Sequence, residues 1–269
     1  MATPSVCIEK LLTEFPFLER INQAAKLGYP AVEFWFAGQN NNNKAAEEKA
    51  FGDIANACAK VGVSVAAFVI NSPDGSIGGS LINPEERDVY LKRLERVVEL
   101  AKIVNCRMII TCAGNCQPGK SKEEQVQTII DTLKEAAPIA ENGGITLLLE
   151  PLNSLVNHPG YFLDSSALGA EIVKAVGSPN VKLLYDIYHM QIMEGNIIST
   201  IRKYIDIIGH FHSAGVPGRH ELTSGELNYH DIIAEIDSLG YTGYFGLEYS
   251  PLLESVQSLG LLRESLMLW

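Results

Sequence analysis

Four short apolar runs of this sequence each end in a side chain that can bind a metal ion or transfer a proton. The residues at these ends are Glu150, Asp186, His212 and Glu248. Each run has the length and composition of a buried strand, so the residue that ends it would lie at the rim of a core. Three carboxylates and one imidazole suit Mn²⁺ or Mg²⁺ better than a structural zinc site built from thiolates. The sequence therefore predicts one shared site for a divalent metal ion.

The elements that must position these residues alternate regularly along the chain. Short β-branched or apolar runs are separated by longer amphipathic stretches, which is typical of βα units around a parallel sheet. The predicted strands are Val6–Glu9, Ala31–Trp35, Val63–Ile70, Arg107–Cys112, Ile145–Glu150, Val181–Asp186, Ile207–His212 and Tyr244–Glu248. Eight units fit a closed barrel, and no Gly-x-Gly-x-x-Gly sequence follows a strand to support a dinucleotide-binding open sheet. We therefore expect an α/β fold, a single (β/α)8 TIM barrel over residues 1–269.

Helix ends are marked by their capping residues. Asn83 suits the N-cap position and Pro84 the first helical position of one helix, and Ser121 suits the N-cap of another that runs to Ala140. Glycines such as Gly62 stand where a helix gives way to the next strand, as C-terminal caps do. These signals support the alternation of helices and strands.

Closure of such a barrel brings the carboxyl ends of neighbouring strands to one mouth. The four metal-capable residues end the fifth, sixth, seventh and eighth predicted strands, so closure would bring them together. The alternative is that each is an isolated polar group that hydrogen-bonds a loop amide. Their places on four adjacent strands favour the shared site.

Two loops have more turn-forming residues than a simple connection needs. The first is the Asn-rich stretch Gln39–Asn43, and the second is the Gly/Ser-rich stretch Ser72–Ser80. Both follow predicted strands, which in a barrel places them on the face that carries the active site. We interpret both as candidate lids.

Composition excludes some partners and locations. Hydrophobic residues make up 46% of the chain, but no apolar run approaches the roughly 20 residues that cross a bilayer. The net charge of −11 and the lack of clustered Lys and Arg argue against nucleic acid, because binding a polyanion needs clustered cations. The first residues lack the basic and long apolar regions of a signal peptide. We expect a cytoplasmic protein without a membrane or nucleic-acid partner.

Several motifs around these residues resemble one family. The sequence is similar to hydroxypyruvate isomerases and the related ketose 3-epimerases, which are sugar isomerases with a xylose-isomerase-like barrel. The likeness spans essentially the whole chain. The stretches that carry it are Ala31–Trp35, Leu149–Asn153, Tyr185–Gly195, Pro217–Glu221, Gly225–Tyr229 and Gly246–Tyr249.

The resemblance implies a role for each matching residue. Glu150 and Glu248 would be both metal ligands and the acid/base pair of catalysis, with Asp186 and His212 completing the coordination. His189 and Arg219 would hold oxygen atoms of the substrate. The alternatives are that His189 starts a helix facing solvent and that Arg219 is a surface loop residue.

Three histidines bear on the finer assignment. Hydroxypyruvate isomerases tend to have Gln where this chain has His212, and His at this ligand position is more typical of the sugar 3-epimerases. His158 follows the fifth strand, and its sequence leaves open whether it lines the pocket or lies on the surface. We expect His210 to face away from the metal site.

The implied chemistry is proton transfer next to a carbonyl group. A metal ion would stabilise the charge of a cis-enediolate, while one Glu removes a proton and the other returns it. Return to the same carbon from the other face gives 3-epimerisation, and delivery to the neighbouring carbon gives aldose–ketose isomerisation. The residues do not choose between these outcomes, or between a small sugar and a hydroxy-keto acid as the substrate.

Two other functions fit the same barrel. One is a metal-dependent hydrolysis or elimination, as in the endonuclease-IV-like and inosose-dehydratase relatives of this fold. The other is a non-catalytic sugar-binding subunit, against which the intact acid/base pair argues. A homo-oligomer is compatible with the sequence. The leading prediction is an isomerase or epimerase of carbohydrate metabolism.

Overall fold

The computed structural model describes residues 1–36 and 43–266. Within these residues, eight parallel strands close into a barrel in chain order, with the first strand paired to both the second and the eighth. The strands are β1 (Thr3–Cys7), β2 (Ala31–Phe34), β3 (Ser64–Val69), β4 (Met108–Cys112), β5 (Thr146–Glu150), β6 (Val181–Asp186), β7 (Ile208–Ser213) and β8 (Tyr244–Leu247). This arrangement confirms the predicted (β/α)8 TIM barrel.

Helices cover the outside of the barrel between successive strands. They are α1 (Phe17–Lys26), α2 (Lys44–Val61), α3 (Arg87–Ile103), α4 (Lys122–Gly143), α5 (Ser166–Val176), α6 (Ile187–Met193), α7 (Ile197–Tyr204), α8 (Tyr229–Ser238) and α9 (Ser255–Leu266). The predicted cap at Ser121 forms a capping box with Glu124 at the start of α4. Asn83 caps a short 3₁₀ turn, Pro84–Glu86, which leads directly into α3.

The first strand was predicted too late in the chain. We expected Val6–Glu9, but β1 begins at Thr3, because Thr3 and Pro4 pair with Tyr244 and Phe245 of β8. A proline is tolerated at the start of a strand but lowers the local strand signal. The position of β1 therefore depends on its pairing with β8, which lies at the other end of the chain and closes the barrel.

Two separate cores hold the barrel together. The larger lies between the strands and the surrounding helices, where Phe34 of β2, Phe51 of α2 and Phe68 of β3 pack with ring centroids 5.2–5.8 Å apart. The smaller core lies inside the barrel and is apolar on the side of β3 to β6. It consists of Ala67, Val69, Ile110, Leu148 and Leu184.

The other half of the barrel interior is polar. Ser5 of β1, Glu33 of β2, and His210 and His212 of β7 are all buried there and contact one another. Polar groups buried this deeply need partners, because leaving them without hydrogen bonds is costly. This polar half lies next to strands β7, β8, β1 and β2, which are consecutive around the barrel.

Among residues 1–36 and 43–266, no helix combines the length and apolar character needed to cross a bilayer.

Candidate active site

The four metal-capable strand ends meet at the mouth of the barrel. Each offers one ligand atom, and these atoms all lie within 4.8 Å of one another. β5, β6 and β7 supply Glu150, Asp186 and His212, and Glu248 is the first residue after β8. All four side chains are buried. The residues are Glu150, Asp186, His212 and Glu248.

Two of these residues are fixed by their backbone surroundings. Asp186 ends β6 and also begins α6 without a connecting loop, so its carboxylate accepts the backbone N–H of His189 at 3.1 Å. The backbone N–H of Glu248 donates to the carbonyl of Ser213 at 3.0 Å, which continues the pairing of β7 and β8. The side chains are therefore held by the sheet and a helix start, as a preorganised site requires.

The Nδ1 atom of His212 points at two of the carboxylates. It lies 3.2 Å from Oε2 of Glu248 and 3.5 Å from Oε1 of Glu150. This nitrogen is buried and has no hydrogen-bond partner among the described residues. A buried nitrogen of this kind among carboxylate oxygens is what a metal ligand requires. The four groups could therefore hold a divalent metal ion.

The electrostatics of the cluster also favour a cation. Burial is the largest influence on the pKa of Asp186 and raises it to about 7, although Arg219 opposes the change. Burial would also raise the pKa of Glu248, but Arg219 and His212 outweigh it and hold that pKa well below its ordinary value. For His212, burial would lower the pKa, but Glu33 and Glu248 raise it well above its ordinary value. Binding of a cation would therefore displace protons from Asp186 and His212.

We expect metal affinity to fall as the pH is lowered through about 7. The pKa of Asp186 is raised to about 7, so below that pH its carboxyl is protonated and a metal ion must displace the proton. Each displaced proton lowers the apparent affinity by about tenfold per pH unit. Calorimetric titration with Mn²⁺ at pH 5.5 and 7.5, in two buffers of different ionisation enthalpy, measures both the affinity and the protons released. Equal affinity at the two pH values would contradict this expectation.

Arg219 lies in the loop after β7 and turns into the site. Its Nη2 group donates to the Glu248 carboxylate and lies 3.4 Å from Oδ2 of Asp186, and its Nε group donates to the Glu248 carbonyl at 3.2 Å. The guanidinium also packs over the ring of Tyr188, 5.0 Å from its centroid. The side chain is 14% exposed, so Arg219 is not a plain surface residue.

His189 is held as a hydrogen-bond donor toward the site. The backbone N–H of Asn153 donates to its Nδ1 atom at 3.0 Å, so the ring proton lies on Nε2. Nε2 is 3.5 Å from Oδ2 of Asp186 and makes no hydrogen bond within the described part of the chain. Burial, then Arg219, lowers the pKa of His189 well below its ordinary value, so the ring is neutral. His189 is 1% exposed and does not face solvent.

A pocket of about 230 Å³ opens beside these groups. His158 lies in it, which resolves the open question about this residue in favour of the pocket. Cys112 of β4 also lines it, as a thiol whose pKa burial raises well above the ordinary value. One part of the pocket lining, which we call the apolar wall, is largely apolar. This wall consists of Trp35, Phe36, Val69, Pro73 and Leu152.

Sequence reasoning missed two residues of the site. Trp35 donates from Nε1 to Oε1 of Glu248 at 2.7 Å and also lines the pocket. Asn153 sets the proton position on His189. Both carried a signal, since Trp35 ends a predicted strand and Asn153 closes the Leu149–Asn153 motif.

The expectation for His210 was wrong. We expected it to face away from the metal site, but its ring centroid lies 5.0 Å from that of His212, on the same side of β7. Successive side chains of a strand alternate, so residues two apart share a face. His210 therefore lies inside the barrel, one layer below His212.

The two candidate lids have different outcomes. The loop Ser72–Ser80 borders the pocket through Pro73, and Asp74 accepts hydrogen bonds from Ser72 and from the backbone of Ser76. Of the stretch Gln39–Asn43, residues 39–42 lie outside the described residues, and Asn43 caps α2. A lid role for either loop stays a prediction.

Comparison with known proteins places the chain in a family. The model of the xylose isomerase-like TIM barrel family matches residues 21–265. The putative hydroxypyruvate isomerase of Danio rerio is 35% identical over 254 residues, which cover 91% of this chain and 88% of the relative. The 2-oxo-tetronate isomerase of Cupriavidus necator is 35% identical over 258 residues, which cover 95% of each chain.

A solved structure agrees with this placement. The crystal structure of AP endonuclease, family 2, from Brucella melitensis superposes with a TM-score of 0.89 at 29% identity, covering 98% of this chain and 99% of that chain. The resemblance seen in the motifs is confirmed by the family match and by relatives whose names are isomerases. The chain therefore belongs to the xylose isomerase-like TIM barrel family and is an isomerase.

Proposed function

We propose that this enzyme is a divalent-metal-dependent isomerase of a small hydroxy-keto acid, of the hydroxypyruvate or 2-oxo-tetronate type. The observation that carries the proposal is the placement of two buried carboxylates, Glu150 and Glu248, on one small pocket together with the Arg219 guanidinium. A substrate of this type joins a carboxylate to a carbon chain with adjacent carbonyl and hydroxyl groups. The names of the two relatives describe acids of this kind.

The size of the pocket supports a small substrate. At about 230 Å³ it is below the range of about 300–1,000 Å³ typical for drug-sized ligands. Its apolar wall offers few hydrogen bonds to the many hydroxyls of a long sugar. Three or four carbons with a terminal carboxylate suit such a pocket better than a hexose.

Arg219 is the group best suited to the substrate carboxylate. Its Nε and Nη2 atoms already donate to Glu248 and Asp186, and no described residue accepts from Nη1. A hydrogen bond between a guanidinium and a carboxylate is stronger than one to a neutral hydroxyl. Arg219 would thus bind an acid and turn its reacting carbons toward the two Glu residues.

The proton transfer follows from the two carboxylates. When bound at these four residues, a divalent cation would stabilise the negative charge that develops on the substrate oxygens. One Glu takes the proton from the hydroxyl-bearing carbon, and the other Glu returns a proton to the former carbonyl carbon. The hydroxyl proton passes to the former carbonyl oxygen, so the substrate and its isomer contain the same atoms. The low pKa of Glu248 keeps its carboxylate ionised, as a proton acceptor must be before substrate binds. The Nε2–H of His189 can donate to a substrate oxygen.

A ketose 3-epimerase is the second candidate. His212 at the ligand position favours it, because His there is more typical of the epimerase branch. The same residues would return the proton to the carbon it left. The net charge of −11 counts against an endonuclease function such as the one named for the Brucella melitensis protein, because binding a nucleic-acid backbone needs clustered positive charge.

The two candidates differ in how strongly they depend on Arg219. We expect Arg219→Ala to raise KM for hydroxypyruvate and 2-oxo-tetronate about 10- to 100-fold more than for neutral ketoses, because a hydrogen bond to a charged group contributes about 1.5–3 kcal/mol. Steady-state kinetics on a panel of acids and of neutral ketoses from tetroses to hexoses measures this ratio. Arg202→Ala removes an arginine that is 59% exposed and paired with Glu235, and serves as the control. Equal losses on acids and neutral ketoses would favour the epimerase.

A further inference from the structure

Glu33 is a buried carboxylate that the proposed chemistry does not use. It lies in the middle of β2, where its neighbours Val32 and Phe34 face the outer core and Glu33 faces the barrel interior. It is 2% exposed and contributes to no wall of the substrate pocket. A buried carboxylate is costly unless it is paired and hydrogen-bonded, so its partners indicate its role.

The partners of Glu33 are the two histidines of β7. Its Oε2 atom lies 2.9 Å from Nε2 of His210 and accepts from the hydroxyl of Ser5 at 3.3 Å. Its Oε1 atom lies 3.4 Å from Nε2 of His212, longer than an ordinary hydrogen bond, and neither atom has a closer polar partner among the described residues. The carboxylate therefore faces the ring nitrogen of His212 that points away from Glu150 and Glu248.

A glycine leaves the space for this contact. Gly246 of β8 pairs with His212 across the sheet. A Cβ atom at Gly246 would clash with Oε1 of Glu33 and would lie 2.6 Å from Cδ2 of His212. Any other residue at this position would therefore displace the Glu33 carboxylate and the His212 ring. The glycine of the Gly246–Tyr249 motif thus has a physical reason, because the carboxylate occupies the place of its side chain.

We propose that Glu33 is a positioning residue that holds the proton of His212 on Nε2 and so leaves the lone pair of Nδ1 directed at the metal site. An ionised carboxylate can only accept, so the ring nitrogen facing it must carry the proton. A carboxylate behind a ligand histidine fixes both the ring orientation and the proton position. His210 donates to the other carboxylate oxygen and keeps Glu33 in place. This inference rests on the metal site of the proposed function.

The test compares Glu33→Gln with a control that makes the same change elsewhere. Glu47 is equally buried at 2% exposure, but it pairs with Arg93 and Arg96 on the outside of the barrel. We expect Glu33→Gln to raise the Mn²⁺ dissociation constant about 10- to 100-fold. Glu47→Gln should lower the melting temperature but leave the dissociation constant within about twofold of wild type.

A spectroscopic measurement separates positioning from general destabilisation. The ¹⁵N shifts of labelled histidine distinguish a proton on Nδ1 from one on Nε2. With Zn²⁺ bound at Nδ1 as a diamagnetic probe, the ring proton lies on Nε2 in every variant. We expect this proton to resonate downfield and to exchange slowly with solvent in the wild type and Glu47→Gln, because the Glu33 carboxylate accepts it, and to lose both features in Glu33→Gln. If Glu33→Gln does not fold, Glu33→Asp keeps the charge but withdraws it from His212, and should change affinity in the same direction.

The outcomes are distinct. A wild type that binds no divalent cation contradicts the proposed metal site, and this inference with it. A wild type that binds Mn²⁺, with Glu33→Gln or Glu33→Asp binding equally well and with an unchanged shift and exchange rate of the His212 Nε2 proton, overturns the role of Glu33 alone.

Discussion

Replacing Glu150 or Glu248 by Gln is expected to lower kcat by about 10²- to 10⁴-fold, with the fold intact, when Mn²⁺ is saturating. An amide cannot accept the proton, and it cannot supply the negative charge that the metal site needs. Both carboxylates line the pocket and lie within 3.5 Å of the same His212 nitrogen, so each can reach the substrate. Steady-state kinetics with hydroxypyruvate and 2-oxo-tetronate measures the loss.

The two variants can be told apart by solvent exchange. If one Glu removes the proton and the other returns it, the variant that lacks only the returning group should still exchange substrate hydrogen in D₂O without forming product. Glu47→Gln, which alters a buried carboxylate outside the site, should keep kcat within about twofold and so controls for folding. Retention of most activity by either site variant would rule out a mechanism with two carboxylates.

Loss of a metal ligand should lower activity nearly as much at ordinary Mn²⁺ concentrations. We expect Asp186→Asn and His212→Ala to weaken Mn²⁺ binding by roughly 10²-fold or more. A direct ligand contributes more to metal affinity than a residue that only hydrogen-bonds a ligand. Activity should return in part at high Mn²⁺, because the change lowers affinity and spares the acid/base pair. Activity assayed over a range of Mn²⁺ concentrations tests both statements.

His230→Ala provides a matched control for His212→Ala. His230 lies on α8 with its side chain 69% exposed, and it belongs to no candidate ligand set among the described residues. Its loss should change neither the Mn²⁺ requirement nor kcat. An Asp186→Asn variant with the wild-type Mn²⁺ requirement would mean that this carboxylate does not bind the metal.

The sequence could predict which residues meet at the mouth of the barrel, because these residues lie at the ends of strands. Each of the four residues ends an apolar run, and in a parallel barrel such ends share one mouth. The rule needs only the order of strands and tolerates small errors in their bounds. It therefore succeeded for Glu248, although β8 itself ends one residue earlier, at Leu247.

Contacts across the barrel interior were beyond the same reasoning. Glu33 meets His210 and Gly246 only because closure of the barrel brings β2 near the adjacent strands β7 and β8. The register of β2 on β3 also shifts between Val32 and Glu33. No periodicity within a single strand reports such a register. The error at His210 was different in kind, since alternation along one strand places it beside His212.

Donor and acceptor roles also depended on tertiary contacts. The proton of His189 lies on Nε2 because the backbone N–H of Asn153, in the loop after β5, donates to Nδ1. The motif containing His189 identified the residue as a candidate, but only the contact with Asn153 shows which nitrogen faces the site.

¹H NMR of the reaction in D₂O shows whether two carboxylates move a proton with the help of a bound metal ion. Mn²⁺-activated wild-type protein is incubated with hydroxypyruvate or 2-oxo-tetronate, and the metal is removed before the spectrum is recorded. We expect an isomeric product with solvent deuterium on the carbon that receives the proton, no product after exhaustive chelation, and recovery on adding Mn²⁺. Product that forms equally well after chelation, or that carries only the hydrogen of the substrate, would contradict it.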